Sequence, residues 1–79
     1  MNFPKRFEML GIDPRSVKVK VVYTGISGKL YQVVYDNIAK FNLNYNNECG
    51  KLVGPMADKL NGEWCLRFES KDAYRRLSE

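Results

Sequence analysis

Between Val17 and Tyr45, three runs of alternating apolar and polar residues are separated by turn-forming peptides, and this pattern constrains the fold more than anything else in the chain. Val17, Val19, Val21 and Tyr23 alternate with Lys18, Lys20 and Thr24, while Val22 interrupts the polar row. A period of two over seven or eight residues, carried by β-branched and aromatic side chains, is the pattern of a half-buried strand. Gly25-Ile26-Ser27-Gly28 then supplies two glycines able to take positive φ, as a four-residue hairpin loop requires. Lys29 to Tyr35 forms the second run, with Tyr31, Val33 and Tyr35 on one face and Leu30, Gln32 and Val34 on the other.

The third run is expected to be a strand as well. Asp36-Asn37 makes a two-residue turn, after which Ala39, Phe41, Leu43 and Tyr45 alternate with Lys40, Asn42 and Asn44. A rival helical spacing runs through Leu30, Val33, Val34, Ile38 and Phe41, with Ser27 as a cap. The valines, the tyrosines and the run of asparagines favour strands, because asparagine is a poor helix former. The expected centre of the fold is therefore a three-stranded antiparallel meander.

Around it, residues 3–11 read as a short helix. Phe3, Phe7 and Leu10 share one face, Pro4 suits a first helical position, and Gly11 suits a C-terminal cap. Asp13-Pro14-Arg15-Ser16 is a turn. Lys51-Leu52-Val53 suits a short edge strand stopped by Gly54-Pro55. Residues 55–61 carry conflicting signals. Pro55 and Gly62 frame a turn or two of helix, whereas Asn61-Gly62 is a strong hairpin dipeptide, and the helix is the expectation taken. Glu63 to Glu69 is a strand with Trp64, Leu66 and Phe68 inward and Cys65 and Arg67 outward, and Ser70 caps a last helix from Lys71 to Leu77. The predicted class is α+β within one domain of 79 residues, with a small SH3-like, partly closed barrel as its variant.

Several functional classes find no support in the residues. Histidine is absent, so Ser16, Ser27, Ser70, Ser78, Cys49 and Cys65 lack the commonest activating base, and the acidic residues are scattered over turns and strand ends. No enzyme, cofactor or metal site is expected. Gly25-Ile26-Ser27-Gly28 lacks the lysine and following helix of a phosphate-binding loop. Lys5, Arg6 and Glu8 interrupt the apolar run that a secretion signal would need, and no run reaches the length of a membrane span. A cytoplasmic chain with Cys49 and Cys65 reduced is the matching expectation.

Two binding classes remain. Lysine and arginine number 13 against 9 acids, for a net charge of +4. Lys18, Lys20, Lys40 and Arg67 are expected on one sheet face with Gln32, Asn42 and Asn44, and Arg75 and Arg76 add a patch on the last helix. Such cations can track a phosphate backbone, so the first expectation is a small nucleic-acid-binding or regulatory module. Compact, basic, histidine-free chains of this size are frequent among accessory proteins of phages and mobile elements. The alternative is a protein adaptor or inhibitor, homodimerisation included. It would act through Tyr23, Tyr31, Tyr35 and Tyr45 where they reach the surface beside Val22, Val34 and Leu30, or through an unpaired strand edge.

Overall fold

The computed structural model describes residues 3–24, 27–44 and 52–70. Its elements are α1 (Lys5–Met9), β1 (Lys18–Thr24), β2 (Leu30–Tyr35), α2 (Ile38–Asn44), β3 (Met56–Leu60) and β4 (Glu63–Glu69), with a 3-10 turn at Pro14–Ser16. The class is α+β, as the sequence predicts. The four strands form one open mixed sheet in the order β2-β1-β4-β3, so the barrel variant does not form.

β1 and β2 are the antiparallel hairpin read from the sequence, paired from Val19↔Tyr35 to Thr24↔Leu30, and Gly28 takes the expected positive φ of 83°. β4 also lies where the alternation places it. It joins the sheet parallel to β1, with Val19 opposite Leu66 and Val21 opposite Phe68. Residues 52 and 53 extend the sheet beside the end of β4. Leu52 bridges Ser70, and the Val53 amide donates to the Glu69 carbonyl at 2.7 Å.

The predicted third strand of the meander is instead α2. Asn37 ends the hairpin as a helix cap rather than as half of a turn. Its Oδ1 accepts from the Lys40 amide at 2.9 Å, and its carbonyl accepts from the Phe41 amide at 3.0 Å. The side-chain bond satisfies one of the amides that a helix start leaves orphaned, and it offsets the poor intrinsic propensity of the asparagines. Ile38 and Phe41, three residues apart, are buried together, whereas Leu43, placed inward by the strand reading, is 80% exposed. The helical spacing of Ile38 and Phe41 was the correct part of the rival reading.

The helix expected at 55–61 is likewise corrected. Met56–Leu60 is β3, antiparallel to β4, and Asn61 and Gly62 both take positive φ (51° and 85°) in the two-residue connection. Two successive residues with positive φ suit the right-handed twist of a tight hairpin and are incompatible with continuing a right-handed helix.

α1 ends as predicted. The Gly11 amide donates to the Glu8 carbonyl and the Ile12 amide to that of Phe7, the paired bonds of a Schellman cap, with Gly11 at φ 70°. Leu10 falls beyond the helix and is half exposed, so Ile12 supplies the apolar contact expected of it. Asp13 caps the 3-10 turn by accepting from the Arg15 amide. The predicted C-terminal helix at 71–77 lies outside the described residues.

Both helices pack on the same face of the sheet. Phe7, Ile38 and Phe41 close over Val19, Val21, Leu66 and Phe68. Phe41 stacks on Phe68 at 4.9 Å between ring centres and receives Tyr35 edge-on at 5.5 Å, while Phe7 meets Trp64 edge-on at 6.2 Å. No described element lies over the opposite face.

Candidate interaction surface

The uncovered face is built by the residues that alternate with the core. Lys18, Lys20, Val22 and Thr24 come from β1, and Leu30, Gln32 and Val34 from β2. Cys65, Arg67 and Glu69 come from β4, and Met56, Asp58 and Leu60 from β3. The registers Lys20↔Val34, Lys20↔Arg67 and Asp58↔Cys65 lay these side chains out in rows across the strands.

Its charge is gathered on one side. Lys20 reaches over β4 to Asp58, with Nζ 3.0 Å from Oδ2, and it also donates to the Lys59 carbonyl at 2.9 Å. Arg67 bonds Asp58 through Nη1 and Glu69 through Nη2, while its Nε is buried with no acceptor among the described residues. The amide of Lys59 and the ammonium of Lys20 hold the Asp58 carboxyl below its ordinary range. Cys65 lies beneath this network, fully buried although it points away from the core, and burial raises its thiol pKa. Long basic side chains laid across a sheet can cover a small residue in this way.

The predicted phosphate-tracking set is therefore divided. Lys18 is exposed on the open face, Lys20 and Arg67 there are paired with acids, and Lys40 sits on α2 at the other face. Arg75 and Arg76 lie outside the described residues. Of the predicted tyrosines, Tyr23 is buried and stacked on Tyr31 at 5.6 Å, and Tyr31 and Tyr35 are half-buried on the helix-covered side. Tyr45 also lies outside the described residues. Trp64 is covered by cations, with Lys59 Nζ 4.2 Å and Arg6 Cζ 5.8 Å from the ring centre.

The β2 side of the open face is apolar. Leu30 is 70% and Val34 42% exposed, with Gln32 exposed between them and half-buried Val22 beside them on β1. All three exposed residues belong to β2, an outer strand of the sheet, whose sequence Leu-Tyr-Gln-Val-Val-Tyr holds no charge, glycine or proline. The other outer strand, β3, carries Asp58 and Lys59, follows Pro55, and has one carbonyl taken by Lys20. Charges and proline on an outer strand discourage further pairing. Among the described residues the two edges of this sheet are thus unlike: charges and a proline guard β3, and nothing of the kind lies on β2. An unpaired edge is one interaction mode expected from the sequence, and which strand would carry it depends on the sheet order.

A groove of about 520 Å³ also opens between the 12–18 segment and the β3–β4 hairpin, lined by Ile12, Val17, Lys18, Leu60, Glu63 and Trp64. Ser16, Asp36 and Cys65 also line it, but the Ser16 hydroxyl donates to the Asp13 carbonyl rather than to a base, and Cys65 is fully buried. Among the described residues no group of three histidine, cysteine or acidic side chains is placed to hold a metal ion, and no helix is long and apolar enough to cross a membrane. No protein-family model matches this chain, and no curated protein or solved structure matches it either.

Proposed function

We propose that the chain is a protein-interaction module that accepts an extended strand along β2. The observation that carries this reading is an uncharged outer strand presenting Leu30 and Val34 to solvent. A strand added to a free edge gains main-chain hydrogen bonds, and its alternate side chains find apolar partners on the exposed face. Solvent-facing aliphatic side chains on such an edge otherwise add the hazard of uncontrolled pairing. The phosphate-binding reading is weakened by geometry, since Lys20 and Arg67 already meet carboxylates and Lys40 is on the far face.

Panning a display library of random peptides against dilute protein separates the two. The expected hits alternate apolar and polar residues, lose binding with Val34→Lys, keep it with Leu43→Lys on α2, and bind nearly independently of salt. Failure to select any peptide sensitive to Val34→Lys would contradict the proposal. Binding of short RNA or DNA that collapses as salt rises, and is lost with Lys18→Glu, would assign the chain to the nucleic-acid class instead.

A further inference from the structure

We infer that the occupant of the β2 edge is a second copy of this chain, paired antiparallel about a two-fold axis at Gln32. The inference rests on the reading of β2 as the docking edge and names what docks there.

The backbone fixes which groups are available. The Val22 carbonyl accepts from the Ser70 amide, just past β4, at 2.9 Å, so Val22 turns its backbone groups toward β4 and away from β2. Its partner in β2 is Gln32. In an antiparallel ladder, a pair whose members do not bond each other points both sets of backbone groups outward. Gln32 therefore directs its N–H and C=O away from β1, and by the strand's period of two so do Leu30 and Val34. The residues with exposed apolar side chains are also those with outward-facing backbone.

That edge is complementary to itself. With the axis at Gln32, the two copies of Gln32 exchange a pair of main-chain bonds, and Leu30 exchanges another with Val34 of the partner subunit on each side. The two most exposed apolar side chains of the sheet then cover each other across the axis, and the two Gln32 amides lie side by side. Neighbouring registers lose this match. An axis at Val33 sets Leu30 against the carboxylate of the partner's Asp36, and an axis at Tyr31 sets Val34 against the partner's Gly28. Charge agrees with the antiparallel sense, because β2 is preceded by Lys29 and followed by Asp36. Each cation then approaches the anionic end of the other strand. Such an interface is isologous and closed, so pairing stops at two copies, and the protected β3 strands form the outer edges of an eight-stranded sheet. A six-residue edge is small beside the roughly 1,200–2,000 Å² of a standard interface, so the dimer is reversible and concentration-dependent.

Sedimentation equilibrium of the full chain over a range of about 10 μM to 1 mM, the span of weak association, tests this. The expected result is a mass rising from 9.2 kDa toward twice that value. Val34→Lys places a cation against Leu30 of the partner subunit and should hold the chain monomeric. Gln32→Pro removes the central N–H bond of the interface but no bond of the fold, because that amide points outward. It should therefore also give a monomer, with an unchanged circular dichroism spectrum. Leu43→Lys should still dimerise. A wild-type chain monomeric throughout, or a dimer that survives both β2 variants, would overturn the inference. A monomeric wild type that still binds selected peptides along β2 would overturn the second copy alone, whereas loss of both would remove the edge reading as well.

Discussion

Asp58 and Cys65 are the residues whose chemistry the fold most alters. The Asp58 carboxyl is held below its ordinary value of 3.8, first by the Lys59 amide and then by the Lys20 ammonium. A depressed carboxylate contributes stability above its unfolded pKa and loses it as pH falls through the folded one. Asp58→Asn should therefore destabilise the protein at pH 7, with the gap to wild type closing as pH falls below about 4. Denaturant titrations at pH 7, 5 and 3 check this, and a gap that stays constant with pH would contradict it. Cys65 is fully buried with its thiol pKa raised by desolvation. In a Cys49→Ser background it should resist thiol reagents at pH 8 in the folded protein and react completely in guanidinium, because the thiolate is the reactive form. Rapid labelling of the native chain would show that the Lys20–Arg67 cover opens readily.

The elements differ in how far the sequence determines them. β1, β2 and β4 were legible because each places apolar residues at a strict period of two against one covered face. α2 was not, because Ala39, Phe41 and Leu43 alternate as a strand would, while only Ile38 and Phe41 need burial. The deciding feature was Asn37, read as half of a turn when its side chain caps a helix. β3 was missed because Pro55 and Gly62 frame a helix on paper, whereas the positive φ at both Asn61 and Gly62 belongs to a hairpin. Asn37→Ala should cost about 1 kcal/mol through loss of the cap. Phe41→Ala should cost about 3–5 kcal/mol, since Phe41 is buried between Tyr35 and Phe68. Urea unfolding followed by Trp64 fluorescence measures both. Similar, small losses at the two positions would mean that α2 contributes little to the core.

For the whole molecule, local pattern could not supply the strand order. Parallel pairing of β1 with β4 joins segments more than forty residues apart, and it sends β2 and β3 to opposite edges. That order brings Lys20, Arg67 and Asp58 together and leaves Leu30 and Val34 on an outer strand. The composition therefore announced a basic protein, while topology pairs two of its cations, Lys20 and Arg67, with Asp58 and Glu69. An outer strand that no described strand pairs on its far side is the feature on which the functional account depends. Amide hydrogen exchange across β2, measured in dilute and in concentrated protein, tests it most directly. In dilute solution the account predicts slow exchange at Tyr31, Val33 and Tyr35, whose amides face β1, and fast exchange at Leu30, Gln32 and Val34. Concentrating the protein should slow those three selectively. Slow exchange at all six positions in dilute protein would mean that the edge is already covered, and an alternation unaffected by concentration or by edge-binding peptides would mean that nothing docks there.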